Sequence, residues 1–196
     1  MKLKAFTLAE LLIALAILGV IATFTIPKVL TTNQNAQKNA MAKEVIASVS
    51  GAYEAYKSEN GVSATTKLKN ITPYMNYIRV DTTSTIDADE GLTSYTCSST
   101  APCLKLHNGS IIKFFDDCFG NSTNTNMIWY SYDPDGQYSG STTGPGKGIG
   151  MAFYYNGRQT TVDGLSNPSQ TDYSCNGSLN PETPASGYIP SWFSWN

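Results

Sequence analysis

Few residues in this chain of 196 have the type and spacing to do chemistry. All four cysteines, Cys97, Cys103, Cys118 and Cys175, lie from mid-chain onward. An even number confined to one region suits two disulfides in an oxidising compartment. A zinc site would want C-x-x-C pairs, which are absent, and His107 is the single histidine. Three pairings are possible. A local staple Cys97–Cys103 with a long tie Cys118–Cys175, anchoring the C-terminal region, is the favoured one. Asp133 and Asp135 beside Gly136 offer carboxylates for calcium. The EF-hand spacing is not met, so a plain turn is favoured and no cofactor is otherwise expected. Gly144-Pro145-Gly146-Lys147-Gly148 stops short of a phosphate loop, which needs Gly where Ser141 stands and Ser or Thr where Gly148 stands. With one His and no G-x-S-x-G, a hydrolase triad finds no support, and the chain reads as non-enzymatic.

The remaining candidate is a carboxylate in an unusual place. Glu10 sits near the start of Phe6–Val29, and no charged residue separates it from Lys28. As a helix, residues 6–29 would run about 36 Å, enough to cross a hydrocarbon core of about 30 Å. Lys2 and Lys4 precede the run, which keeps the N-terminal tail inside and sends the C-terminal part out. An ordinary signal peptide accounts for this less well. No A-x-A site closes the run, an acid gains such a peptide nothing, and helical patterning continues past the membrane segment. The charge of Glu10 needs a partner. The next basic residue along the helix is Lys28, so nothing in the sequence neighbourhood of Glu10 supplies one.

Ala5-Phe6-Thr7-Leu8-Ala9-Glu10-Leu11 resembles the cleavage and methylation motif of type IV prepilins and type II secretion pseudopilins, and the resemblance extends to Gly19 and to Pro27. It covers roughly the first 30 residues. It implies a cut between Ala5 and Phe6 by a prepilin peptidase, N-methylation of Phe6, and an assembly role for Glu10. The family usually has Gly before the cut; Ala5 is another small residue. The implied partners are that peptidase and methylase, other copies or related pilin subunits, an assembly platform with its motor, and the membrane. Major pseudopilins carry a calcium loop, which bears on Asp133 and Asp135.

The elements that would carry these residues follow from pattern. Val45, Val49, Ala52 and Tyr56 recur at helical spacing, with Ile46 and Tyr53 alongside, so the helix continues as an amphipathic half to about Asn60, and Gly61 stops it. Pro27 deletes one backbone hydrogen bond and should bend or loosen this helix. Residues 62–96 look loop-like, with a strand candidate at Ile71–Val80 and an exposed polar connection at Asp81–Thr96. Asn108-Gly109 and Asn156-Gly157 read as two-residue type I′ turns of two hairpins. Met127–Tyr132 is a further strand, ending at Asp133-Pro134-Asp135-Gly136. Tyr188, Trp192, Phe193 and Trp195 read as a core edge.

The chain therefore divides into a leader 1–5, a membrane and assembly half-helix 6–30, an amphipathic half 31–60, and a disulfide-bonded β-rich head 61–196. The fold class is α+β, a long helix packed on a small antiparallel sheet. A formal charge of −2 and only 14% charged residues leave no basic face for nucleic acid. The reading is a structural subunit of a type IV pilus-like filament, stored in the bacterial cytoplasmic membrane and then assembled into an extracellular or periplasmic filament. A secretion pseudopilin and a minor or tip adhesive pilin are its alternatives.

Overall fold

In a computed structural model, the described residues are 7–86, 95–99, 101–120, 127–137, 148–161, 175 and 179. Helix α1 spans Leu8–Asn60, and its assignment is unbroken through Pro27. It ends where the Gly61 amide donates to the Lys57 carbonyl at 3.0 Å. The chain divides into two compact units, 1–37 and 38–196.

In the second unit the helix stripe is buried, with Ala42, Val45, Val49, Ala52 and Tyr53 at its centre. Among the described residues six strands form one antiparallel sheet: β1 (Arg79–Asp81), β4 (Cys103–Lys105), β5 (Ile111–Phe114), β6 (Met127–Asp133), β7 (Ile149–Tyr154) and β8 (Gln159–Thr161), in that spatial order. Between β1 and β4 in sequence, β2 (Thr85–Ile86) and β3 (Tyr95–Thr96) pair as a separate two-stranded sheet. Strand side chains alternate between faces. Ile112, Phe114, Tyr130, Tyr132, Met151 and Phe153 thus share one core with the helix stripe. Tyr53 sets the centre of that core, edge-on to Phe153 at 4.7 Å and to Phe119 at 5.9 Å between ring centroids. Its hydroxyl donates to the Tyr155 carbonyl. Gln159 fastens β8 to the helix through Nε2, which donates to the Ile46 carbonyl (2.9 Å) and Ser50 Oγ (2.6 Å).

The opposite face is buried too. Trp129, Ala152 and Tyr154 cluster with Tyr95 and Phe115, while Ile111 packs with Ile86 and the cysteines Cys97 and Cys103. Burial on both faces explains why Ile111-Ile112-Lys113-Phe114-Phe115 lacks the alternation of a half-solvated strand. Lys113 is fully buried there. Its Nζ donates to the Thr96 carbonyl at 2.9 Å and lies 5.3 and 5.5 Å from the ring centroids of Tyr95 and Phe115. Burial pushes its pKa down.

Three local expectations need correction. Ile71–Val80 is not a strand: a 3-10 helix occupies Leu68–Tyr74, and β1 takes only the end of the stretch. Pro73 inside that turn has no amide to give a ladder. Asp81–Thr96 is not simply an exposed connection, since Asp81, Ile86 and Tyr95 are all buried. Both Asn-Gly hairpins form, but with three-residue loops. Gly109 donates to Leu106 while Leu106 pairs with Ser110, and Gly157 donates to Tyr154 while Tyr154 pairs with Arg158. Gly109 (φ 89°) and Gly157 (φ 91°) take the left-handed position after the turn. A two-residue loop would have set Leu104 opposite Lys113; the observed loop sets it opposite Ile112, keeping both in the helix-side core.

Candidate functional site

The site of interest is the exposed apolar part of α1. From Leu8 to Leu30 its large apolar side chains are more than half exposed, including Leu11, Leu12 and Leu15 at 57%. An 18-residue stretch of the helix reaches a mean hydropathy of 2.3, long and apolar enough to cross a membrane. Several of its hydroxyls are absorbed locally. Thr23 and Thr25 donate their hydroxyls to the carbonyls of Val20 (2.7 Å) and Ile21 (3.0 Å), and Thr31 donates to that of Pro27 (2.9 Å). Such back-bonding hides hydroxyls that hydrocarbon would otherwise leave unpaired. Pro27 lacks the amide that would have reached the Thr23 carbonyl.

Glu10 sits in the first turn of this helix. Its Oε2 accepts from the Thr7 amide and the Thr7 hydroxyl, both at 2.8 Å, and Thr7 Oγ1 accepts from the Glu10 amide at 3.3 Å. This reciprocal arrangement is a capping box. The sequence carried its signature in Thr7-x-x-Glu10, which a search for a cation near Glu10 passes over. Thr7 supplies hydrogen bonds but no charge, so an opposing cation is still required once the carboxylate leaves water. Ala5 and Phe6 lie outside the described residues.

The other chemistry-bearing residues separate into ties and turns. The disulfides are Cys97–Cys103 and Cys118–Cys175, with Cα separations of 5.5 and 5.9 Å. Asp133 Oδ1 accepts from the amides of Asp135 (3.1 Å) and Gly136 (2.9 Å). Asp135 accepts from the Gln137 amide and pairs with Lys38 at 3.1 Å. Both carboxylates are thereby engaged by the turn and the helix, and no group of three metal-ligating side chains occurs among the described residues. His107 Nε2 meets Asn76 Oδ1 at 3.0 Å. Residues 144–147 and the aromatics Tyr188, Trp192, Phe193 and Trp195 lie outside the described residues.

Asp81 is a buried structural carboxylate that sequence reasoning passed over. The amides of Thr83 and Ser84 and the Ser84 hydroxyl donate to it, holding its pKa well below the usual carboxylate range. Asp81-x-Thr83-Ser84 is the kind of Asx turn that could have signalled it.

No curated protein and no solved structure gave a match to the chain. A family model described as the prokaryotic N-terminal methylation motif matches residues 1–26. That segment holds Thr7, Glu10 and most of the exposed apolar surface. Residues 1–26 therefore carry the signature of type IV pilins and pseudopilins, which are structural filament subunits made as precursors.

Proposed function

We propose that this protein is a subunit of a type IV pilus-like filament, stored in the membrane as a precursor, cut between Ala5 and Phe6, and assembled through α1. The observation that carries the reading is the conjunction, on one helix, of the methylation motif and an apolar surface left uncovered within the chain. Such a surface suits two environments in turn, lipid during storage and neighbouring helices after extraction. The head has its own core and two disulfides, so it holds together outside the cell without that surface.

Intact-mass measurement of the mature protein tests the first step. Loss of Met1–Ala5 with one added methyl group is expected. Loss of the whole apolar run would make the segment an ordinary signal peptide and end the reading. Shearing cells and imaging the released material then sorts the roles. Long filaments built from this chain mark a pilin, a secretion defect without visible filaments marks a pseudopilin, and a few copies at tips mark an adhesin.

A further inference from the structure

We propose that the groove between the buried half of α1 and the tip of the β4–β5 hairpin receives Lys28 of a second copy of this chain, with Glu44 as its ion-pair partner. The inference rests on the filament reading and names one subunit contact within it.

The groove encloses about 250 Å³. Val45 and Leu106 form its floor, and Glu44, Ser48, Asn76 and His107 stand in its walls with the hairpin tip. Among the described residues no Lys or Arg lines it. Among the described residues Glu44 is the one carboxylate with neither a hydrogen bond nor an ion pair. The others are engaged by Thr7, Lys57, Tyr74, Arg79, Lys67, Lys69, Lys38 or by backbone amides. An apolar floor with an unmatched carboxylate and a hydroxyl above it suits a lysine, whose methylene stem packs while its ammonium donates.

The apolar surroundings point to the same occupant. The register of β1 against β4 sets Val80 opposite Leu104 and, extended, Ile78 beside Leu106 of the groove floor. Ile78 and Val80 are 56% and 48% exposed. They are the only exposed large apolar side chains outside α1 among the described residues. Lys28 is the single cation on α1 between Glu10 and Lys38, and Ile26, Val29 and Leu30 flank it. Those three are themselves 56–59% exposed. Lys28 has neither a hydrogen bond nor an ion pair of its own among the described residues, apart from the backbone of its helix. One docking event would thus cover both apolar strips and join the two unmatched charges. Lys105 is a poorer candidate, because alternation sends it to the face of β4 opposite Leu104 and Leu106.

The test is a zero-length carbodiimide cross-link on sheared wild-type filaments, read by peptide mass spectrometry. Lys28 and Glu44 stand sixteen residues apart on one helix, so a direct amide between them must join two copies. That linked peptide is expected. Charge exchange supplies the second measurement. Lys28→Glu and Glu44→Lys alone should each cut filament yield by about tenfold or more, with the membrane-stored, processed precursor still present. The double exchange should restore most of the yield. Absence of the linked peptide from filaments that do form, or a double exchange no better than the single variants, overturns the contact while leaving the filament reading standing. A wild-type chain that forms no filaments defeats the filament reading itself.

Discussion

Leu8–Leu30 and Ala42–Tyr53 belong to one helix and have opposite surfaces. In the first stretch Leu11, Leu12 and Leu15 are each 57% exposed; in the second Val49 and Tyr53 are at 0%. Helix-forming sequence is common to both, so the difference does not come from local conformation. The first is apolar nearly all round, the pattern of a membrane span. The second is apolar along one stripe, and the sheet encoded a hundred residues later covers that stripe. The first stretch serves partners outside the chain, and the second serves the fold.

Substitutions should separate the two roles, and the largest effect belongs to the assembly half. Glu10→Leu should abolish or severely slow filament growth while membrane insertion, cleavage and the melting of the head stay normal. A carboxylate in the apolar part of a membrane helix costs up to about 3 kcal/mol unless it is matched, and less toward the end where Glu10 lies, so its presence there argues for a partner gained on assembly. Normal filaments at normal abundance from this variant would break the comparison.

In the fold half, Tyr53→Ala should cost about 3–5 kcal/mol of head stability, since it empties a site packed by Phe119 and Phe153. Leu15→Ala, by contrast, should leave the same unfolding curve in place. Denaturant titration of the full chain in detergent, followed by tryptophan fluorescence, measures both.

The disulfides sharpen the comparison inside the head. Cys118–Cys175 spans 57 residues and Cys97–Cys103 spans 6. In the loop-entropy picture they contribute about 4 and about 2 kcal/mol respectively. Cys118→Ser with Cys175→Ser should therefore lower the melting temperature further than the paired serine change at Cys97 and Cys103. Equal shifts would show that folded-state packing, not loop closure, sets their value.

The smallest expected effect is at Asp81. Asp81→Asn should cost about 1–3 kcal/mol at neutral pH, because the charged acceptor of two amides and a hydroxyl is lost. The folded-state pKa of Asp81 is depressed, so its stabilisation is fully present above the ordinary value of about 3.9 and fades as pH falls below it. The gap between wild type and variant should narrow over that acidic range. A gap independent of pH would remove the charge from the explanation.

Much of this division could be read in residues 6–61. The apolar run, the stripe from Val45 to Tyr56 and the stop at Gly61 are local signals, because a helix satisfies its own backbone and reports its partner through periodicity. The capping box of Thr7 and Glu10 is equally local, and was there to be read. Sequence alone also placed both hairpins at their Asn-Gly pairs. Tertiary structure decided the rest. The loop type at Gly109 was set by the need to keep Leu104 and Ile112 in the helix-side core, a contact no turn residue encodes. The burial of Asp81 and Lys113 depended on β2 and β3 lying over the second face of the sheet, and the groove at Glu44 exists only where the helix meets the β4–β5 hairpin. Lys113 and Thr96 are seventeen positions apart, and the helix and hairpin that form the groove are further apart still. Local preference reaches a few residues along the chain, and such contacts are chosen by the packing of the whole head.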